Sequence, residues 1–224
     1  MYVNDFSMLT TPAFGDRSDA GRALGEELVA QAVRAGLVLG LTRGGVPVAA
    51  EVARLLKTPL DIIVVKKIGA PFSLELAIGA ICSDGTRVLH RDYIRELEIS
   101  DDYVERISKR MLEEAQSAER RYRAGGPPPD LRGRAVLVVD DGIATGSTME
   151  AAVLSVRNRG AAQITVAVPV ASRESVSRLA SVADRMFALR QPAAFFAVGQ
   201  FYRYFGQVSD DDVTRLMTAE AYAS

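Results

Sequence analysis

Residues 138–149 read Val-Val-Asp-Asp-Gly-Ile-Ala-Thr-Gly-Ser-Thr-Met, which brings two adjacent carboxylates, two glycines and three hydroxyls into one short segment. The apolar residues before Asp140 predict a buried strand that ends at the acids, and the small and hydroxyl residues after them lead into a helix. Gly142 and Gly146 open backbone shapes closed to other residues. Successive amides can then curl around one phosphate at the positive end of that helix. Thr145, Ser147 and Thr148 add hydroxyl donors. Asp140 and Asp141 lie one sugar length before this cradle, where each can accept hydrogen bonds from a ribose hydroxyl or hold a hydrated Mg2+ ion through water. The segment therefore suits a phosphorylated sugar. A P-loop would need a lysine before its Ser or Thr, and a dinucleotide fingerprint would place three spaced glycines before any acid. Neither is present. The competing structural explanation is that Asp-Asp-Gly ends a strand and a hydroxyl caps a helix.

The elements on either side of this segment alternate between two periods. Ser18 or Asp19 can cap a helix running to about residue 35, with Ala23, Leu24, Leu28 and Val33 as its apolar stripe. Residues 37–42 read as a buried strand broken by Arg43-Gly44-Gly45, and Pro47 can start a helix through Leu56. Residues 60–66 are rich in β-branched side chains and predict a second buried strand, parallel to the first. Two short strands about Ser83-Asp84-Gly85 and a long, half-exposed helix over 101–123 follow. The prolines of 124–133 make a loop. After the strand at 135–141 and its helix, residues 163–170 predict another strand, 172–180 a helix, and the surroundings of Met186 a weaker strand. Such alternation argues for one α/β domain over 1–224, an open, mostly parallel twisted sheet with helices on both faces.

Composition narrows the partners. With 27 Lys and Arg against 28 Asp and Glu in 224 residues, no overall field draws the chain to nucleic acid or to an acidic membrane. Small molecules are the expected partners, and a homodimer is open to the chain. A hydrophobic fraction of 48% supports a sizeable core. The single cysteine, Cys82, permits no internal disulfide and no cysteine metal cluster, so it reads as a small core residue in a cytoplasmic protein. No basic start with an apolar run and no ~20-residue apolar stretch suggests export or membrane insertion. His90, the only histidine, reads as a surface residue that nothing in the sequence places near the phosphate segment.

The stretch VLVVDDGIATGSTM resembles the 5-phosphoribosyl-1-pyrophosphate (PRPP) motif of the type I phosphoribosyltransferases. The likeness extends through LGLTRGGVPVAAEVA, LDIIVVKKIGAP and ELAIGAI to AVGQFYRYFGQVSDDDV, a set similar to bacterial proteins described only as predicted phosphoribosyltransferases. It implies a magnesium-dependent pentosyltransferase that moves the phosphoribosyl group from PRPP to a small-molecule acceptor and releases pyrophosphate. By the resemblance Asp140 and Asp141 hold the ribose hydroxyls, Gly142 and Ala144 to Thr148 bind the donor and its 5-phosphate, and Arg43-Gly44-Gly45 form the pyrophosphate loop. Lys66 and Lys67, at the end of the second strand, can neutralise the leaving pyrophosphate, and residues 68–75 are the counterpart of a mobile loop. Phe14, Asp16 and Arg17 at one end and Phe201, Tyr202 and Tyr204 at the other can each supply a small hood over an acceptor. Nothing in the sequence matches a purine or pyrimidine specificity signature. The alternatives are a sensor of PRPP or nucleotides without transferase activity, and a hydrolase or phosphorylase of a phosphorylated ribose.

Overall fold

The computed structural model describes residues 12–221. In chain order its elements are α1 (Arg17–Ala30), β1 (Leu37–Leu41), α2 (Gly45–Leu56), β2 (Leu60–Ile63), β3 (Val65–Ala70), β4 (Ser73–Cys82), β5 (Arg87–Leu89), α3 (Arg91–Glu96), α4 (Asp101–Tyr122), β6 (Ala135–Val139), α5 (Ser147–Asn158), β7 (Gln163–Val170), α6 (Arg173–Leu179), β8 (Arg185–Arg190) and α7 (Asp210–Ala221). The main sheet has the order β2-β1-β6-β7-β8, and each neighbouring pair is parallel. Both of its faces are covered, which is why its strands are apolar runs with no polar alternation. On one face Val38, Leu137, Val139 and Ala167 pack against Leu24 and Leu28 of α1 and Val48 and Val52 of α2. On the other, Leu39, Val138 and Val166 pack with Met149, Val153 and Val156 of α5. The expected sheet with helices on both faces is the sheet observed.

Residues 60–66 do not form one strand. β2 stops at Ile63, opposite Leu41, the last residue of β1, and β3 then belongs to a separate antiparallel sheet of order β3-β4-β5. Beyond Leu41 the chain turns into the Arg43 loop, so β2 loses its partner, and Val65–Ala70 pairs with Ser73–Cys82 instead. A run of β-branched residues carries no mark of such a change of partner. Residues 68–75 likewise lie in the β3–β4 hairpin, with Phe72 exposed at its turn. Val65, Ala80 and Cys82 of this smaller sheet pack in the same core as α5, which is held between the two sheets.

Helix starts shift for identifiable reasons. Asp16, in an extended backbone, caps α1 by accepting from the Asp19 amide at 2.8 Å, while Asp19 Oδ2 accepts from the Gly15 amide at 2.8 Å. That reciprocal pair fixes the start two residues ahead of Ser18, and α1 ends at Ala30 before a left-handed Ala32. Helix α2 starts at Gly45, with Pro47 in the first turn, where a missing N–H costs nothing. The segment before α1 meets the segment after β8. The Phe14 amide donates to the Phe201 carbonyl at 3.0 Å and the Arg203 amide to the Phe14 carbonyl at 2.8 Å, so the hood draws on both ends at once. No helix among the described residues is long and apolar enough to cross a membrane.

Candidate active site

Strands β1 and β6 are neighbours with Gly40 opposite Val139, so the chain leaves both at the same edge of the sheet. Arg43-Gly44-Gly45 follows one strand and Asp140-Asp141 the other. Between them opens a cavity of about 580 Å³ bordered by Arg17, Arg43, Gly44, Lys67, the 140–148 loop and Phe205. Ligands of open parallel sheets collect at this edge. The glycine pair is required by contact. A Cβ on Gly44 would lie 2.2 Å from Asp141 Oδ2, and one on Gly45 would lie 2.7 Å from the Val139 carbonyl oxygen. Gly44 has an ordinary helical backbone, φ −60°, so what it supplies is room for the carboxylate. Gly146, at φ 86°, is the left-handed residue that turns the loop into α5, and the cavity borders the start of that helix at Gly146 and Thr148.

Both acids are only 9% exposed. Asp140 Oδ1 accepts from the Asp141 amide at 2.8 Å, and Asp141 Oδ2 accepts from Arg17 Nε at 2.8 Å. The Tyr202 hydroxyl donates to the Asp141 carbonyl at 2.5 Å, so the hood clasps the backbone of the acid as well as its side chain. Burial holds the Asp140 carboxyl well above the usual carboxylate range, and the neighbouring Asp141 charge adds to this. Burial raises Asp141 as well, against the pull of Arg17. Two such carboxylates with one guanidinium between them leave negative charge poorly solvated, and a cation or polyol donor would relieve it. Magnesium fits these hard oxygens. Among the described residues no group of three or more His, Cys, Asp or Glu is placed to cage a metal, so an ion here would keep water and ligand oxygens in its shell.

Other sequence candidates divide. Arg43 borders the cavity, with Nη1 3.5 Å from Asp210 Oδ1, and Asp210 also forms an ion pair with Arg121 at 2.8 Å and accepts from the Tyr122 hydroxyl at 2.5 Å. Lys67 lines the cavity. Lys66 is one residue away on β3 and does not line it, as the pleat dictates. Gly142, Ala144, Thr145, Gly146 and Thr148 line it as well, whereas the Ser147 hydroxyl turns away and meets His90 Nε2 at 2.7 Å. His90 is therefore no remote surface residue. It is half-buried beside the phosphate loop, delivered there by pairing of β5 with β4, a long-range event with no local signal. Arg17 is the other residue whose part was not legible: the sequence places it in the hood, and the fold brings it to Asp141.

Residues 19–205 match the family described as phosphoribosyl transferase domain. The chain belongs to that family. It is 47% identical over 204 residues to two Mycobacterium tuberculosis proteins, from strains CDC 1551/Oshkosh and H37Rv, that carry provisional phosphoribosyl transferase names. The match covers 91% of this chain and 46% of each relative, so the chain spans about half the length of the curated relatives it matches. The crystal structure of TT1426 from Thermus thermophilus is 43% identical, superposes with a TM-score of 0.77, and is covered over 98% of its length by 92% of this chain.

Proposed function

We propose that the chain binds magnesium–PRPP in this cavity and transfers the phosphoribosyl group to a nitrogen nucleophile, releasing pyrophosphate. The observation that carries the reading is a single cavity that has the Asp140–Asp141 pair on its floor, the Gly146-led start of α5 at one side and Arg43-Gly44 at another. The α5 amides with Thr145 and Thr148 take the 5-phosphate, the two carboxylates take the ribose hydroxyls, and Arg43 and Lys67 face the pyrophosphate. In transfer a bond forms from the acceptor nitrogen to the anomeric carbon while the bond to the pyrophosphate oxygen breaks. The pyrophosphate leaves with the electron pair and the nitrogen loses its proton. Bound magnesium would offset charge on the leaving group. Positive charge gathers on the ribosyl carbon as negative charge gathers on the leaving oxygens, so fixed carboxylates on one side and Arg43 and Lys67 on the other favour that separation. Asp141 is shared with Arg17, so donor binding must accommodate or replace the guanidinium. The experiment is incubation with magnesium, PRPP and a panel of bases and amines, with pyrophosphate as the readout. Acceptor-dependent release supports transfer; binding without release for every acceptor would favour a sensor, and release into water a hydrolase.

A further inference from the structure

A second cavity, of about 600 Å³, opens on the far side of the phosphate loop. Its walls come from the smaller sheet and from α3, α5 and α6: Lys67, Leu76, His90, Tyr93, Thr148 and Arg178. Neither Asp140 nor Arg43 lines it, and the donor reading gives His90, Tyr93 and Arg178 no task. The geometry points to a separate binding site for a planar ring that carries an anionic group, with the anion between Lys67 and Arg178 and the ring on Tyr93 and His90.

Charge favours the anion. Lys67 and Arg178 both line the cavity and can pair with the same group. Asp92 and Glu174 also border it, but Asp92 is 2.7 Å from Arg95, and Glu174 reaches Arg178 only at 3.9 Å with its own side chain 89% exposed. An ion pair of that length and exposure is worth little, so Arg178 can exchange it for a ligand. Shape favours the ring. Tyr93 is a large aromatic left 51% exposed, with its ring 5.7 Å from that of His90 and tilted 49° to it, and Leu76 adds apolar surface. Exposed aromatic faces beside cations are where ring-bearing anions gain both stacking and charge. Burial and Arg178 keep the imidazole below its usual range, against a smaller opposing influence of Glu150, so His90 contributes a face and a hydrogen bond to Ser147 in preference to a charge. Because Lys67, Thr145 and Thr148 border both cavities, an occupant of one alters the affinity of the other, and by linkage the effect is mutual.

His90 is the chain's only histidine, so in untagged protein its ring Cε1–H resonance reports this cavity alone. Phenyl phosphate is titrated with the donor cavity saturated by ribose 5-phosphate, with benzoate and inorganic phosphate as separate arms. The expected result is a saturable His90 shift with phenyl phosphate, binding tighter than inorganic phosphate and weakened about tenfold by Arg178→Gln. Tyr93→Ala should weaken phenyl phosphate and leave inorganic phosphate unchanged. A response to benzoate as well identifies a general aromatic-anion site, and none identifies a phosphate-specific one. Absence of a saturable shift, its loss when ribose 5-phosphate is added, or equal binding by wild type and both variants would overturn the assignment.

Discussion

Arg17 Nε lies 2.8 Å from Asp141 Oδ2 across 124 residues of sequence, and the same guanidinium donates to the Gly206 carbonyl at 2.6 Å and stacks 3.9 Å over the Phe205 ring. One side chain from the first helix thus ties the hood to the carboxylate pair. The side chains of Arg17 and Asp141 are 12% and 13% exposed, so loss of the arginine leaves a carboxylate buried without its partner. Arg17→Ala should lower unfolding free energy by about 2–4 kcal/mol, read from the denaturant midpoint. In the Asp141→Asn background the same substitution should cost much less. A double-mutant cycle showing additive effects would separate Arg17 from Asp141 energetically.

Asp140 carries a pH signature. Its folded-state pKa lies above the unfolded value of about 3.8, so the folded state binds the proton more tightly. The stability this adds is complete below the unfolded pKa and is lost as pH rises through the folded one. Asp140→Asn removes that dependence. With magnesium chelated, the variant should gain on wild type as pH rises above the unfolded value, because the buried charge is then absent. Denaturation curves across pH decide the matter; parallel curves for the two proteins would show that Asp140 is not strained by burial.

Gly44→Ala tests the close approach beneath the acids. The new Cβ must displace Asp141 Oδ2 from 2.2 Å, and the backbone φ of −60° is comfortable for alanine, so any penalty comes from contact. The protein should fold with a loss of about 1–3 kcal/mol, the usual cost of overpacking, and bind ribose 5-phosphate at least about tenfold more weakly. Unchanged affinity would mean that Asp141 can move without consequence.

Much of this architecture was visible in the chain. The strand that stops before Asp140 and the one ending at Leu41 announce themselves as apolar runs stopped by acids or glycines, whereas their side-by-side placement emerged only in the fold. The split between Ile63 and Val65 was not legible, because a β-branched run reads alike in either sheet. The same holds for the site. Residues 140–148 lie together in sequence and could be read together, whereas Arg17 and His90 reach it through the docking of residues 14–17 on 201–206 and the pairing of β4 with β5, which no local pattern encodes.

Arg43→Ala addresses the leaving group. The pair with Asp210 is long and its side chains are 39% and 36% exposed, so stability should change by less than about 0.5 kcal/mol. If the guanidinium meets charge that grows on the pyrophosphate, kcat and kcat/KM should fall together by about 10- to 100-fold while ribose 5-phosphate binding holds. Steady-state kinetics with an active acceptor provide the check. Full turnover would transfer the role to Lys67, which also lines the cavity.

Everything proposed for the donor cavity depends on Asp140 and Asp141 holding the sugar of a magnesium–PRPP complex. Calorimetric titration of PRPP, with magnesium present, into wild type and into Asp140→Asn/Asp141→Asn measures this directly. Binding to wild type is expected, with a loss of at least ~2 kcal/mol in the double variant, since two charge-assisted contacts disappear while the fold persists. An unchanged dissociation constant in the folded double variant, or no binding of PRPP by wild type, would contradict it.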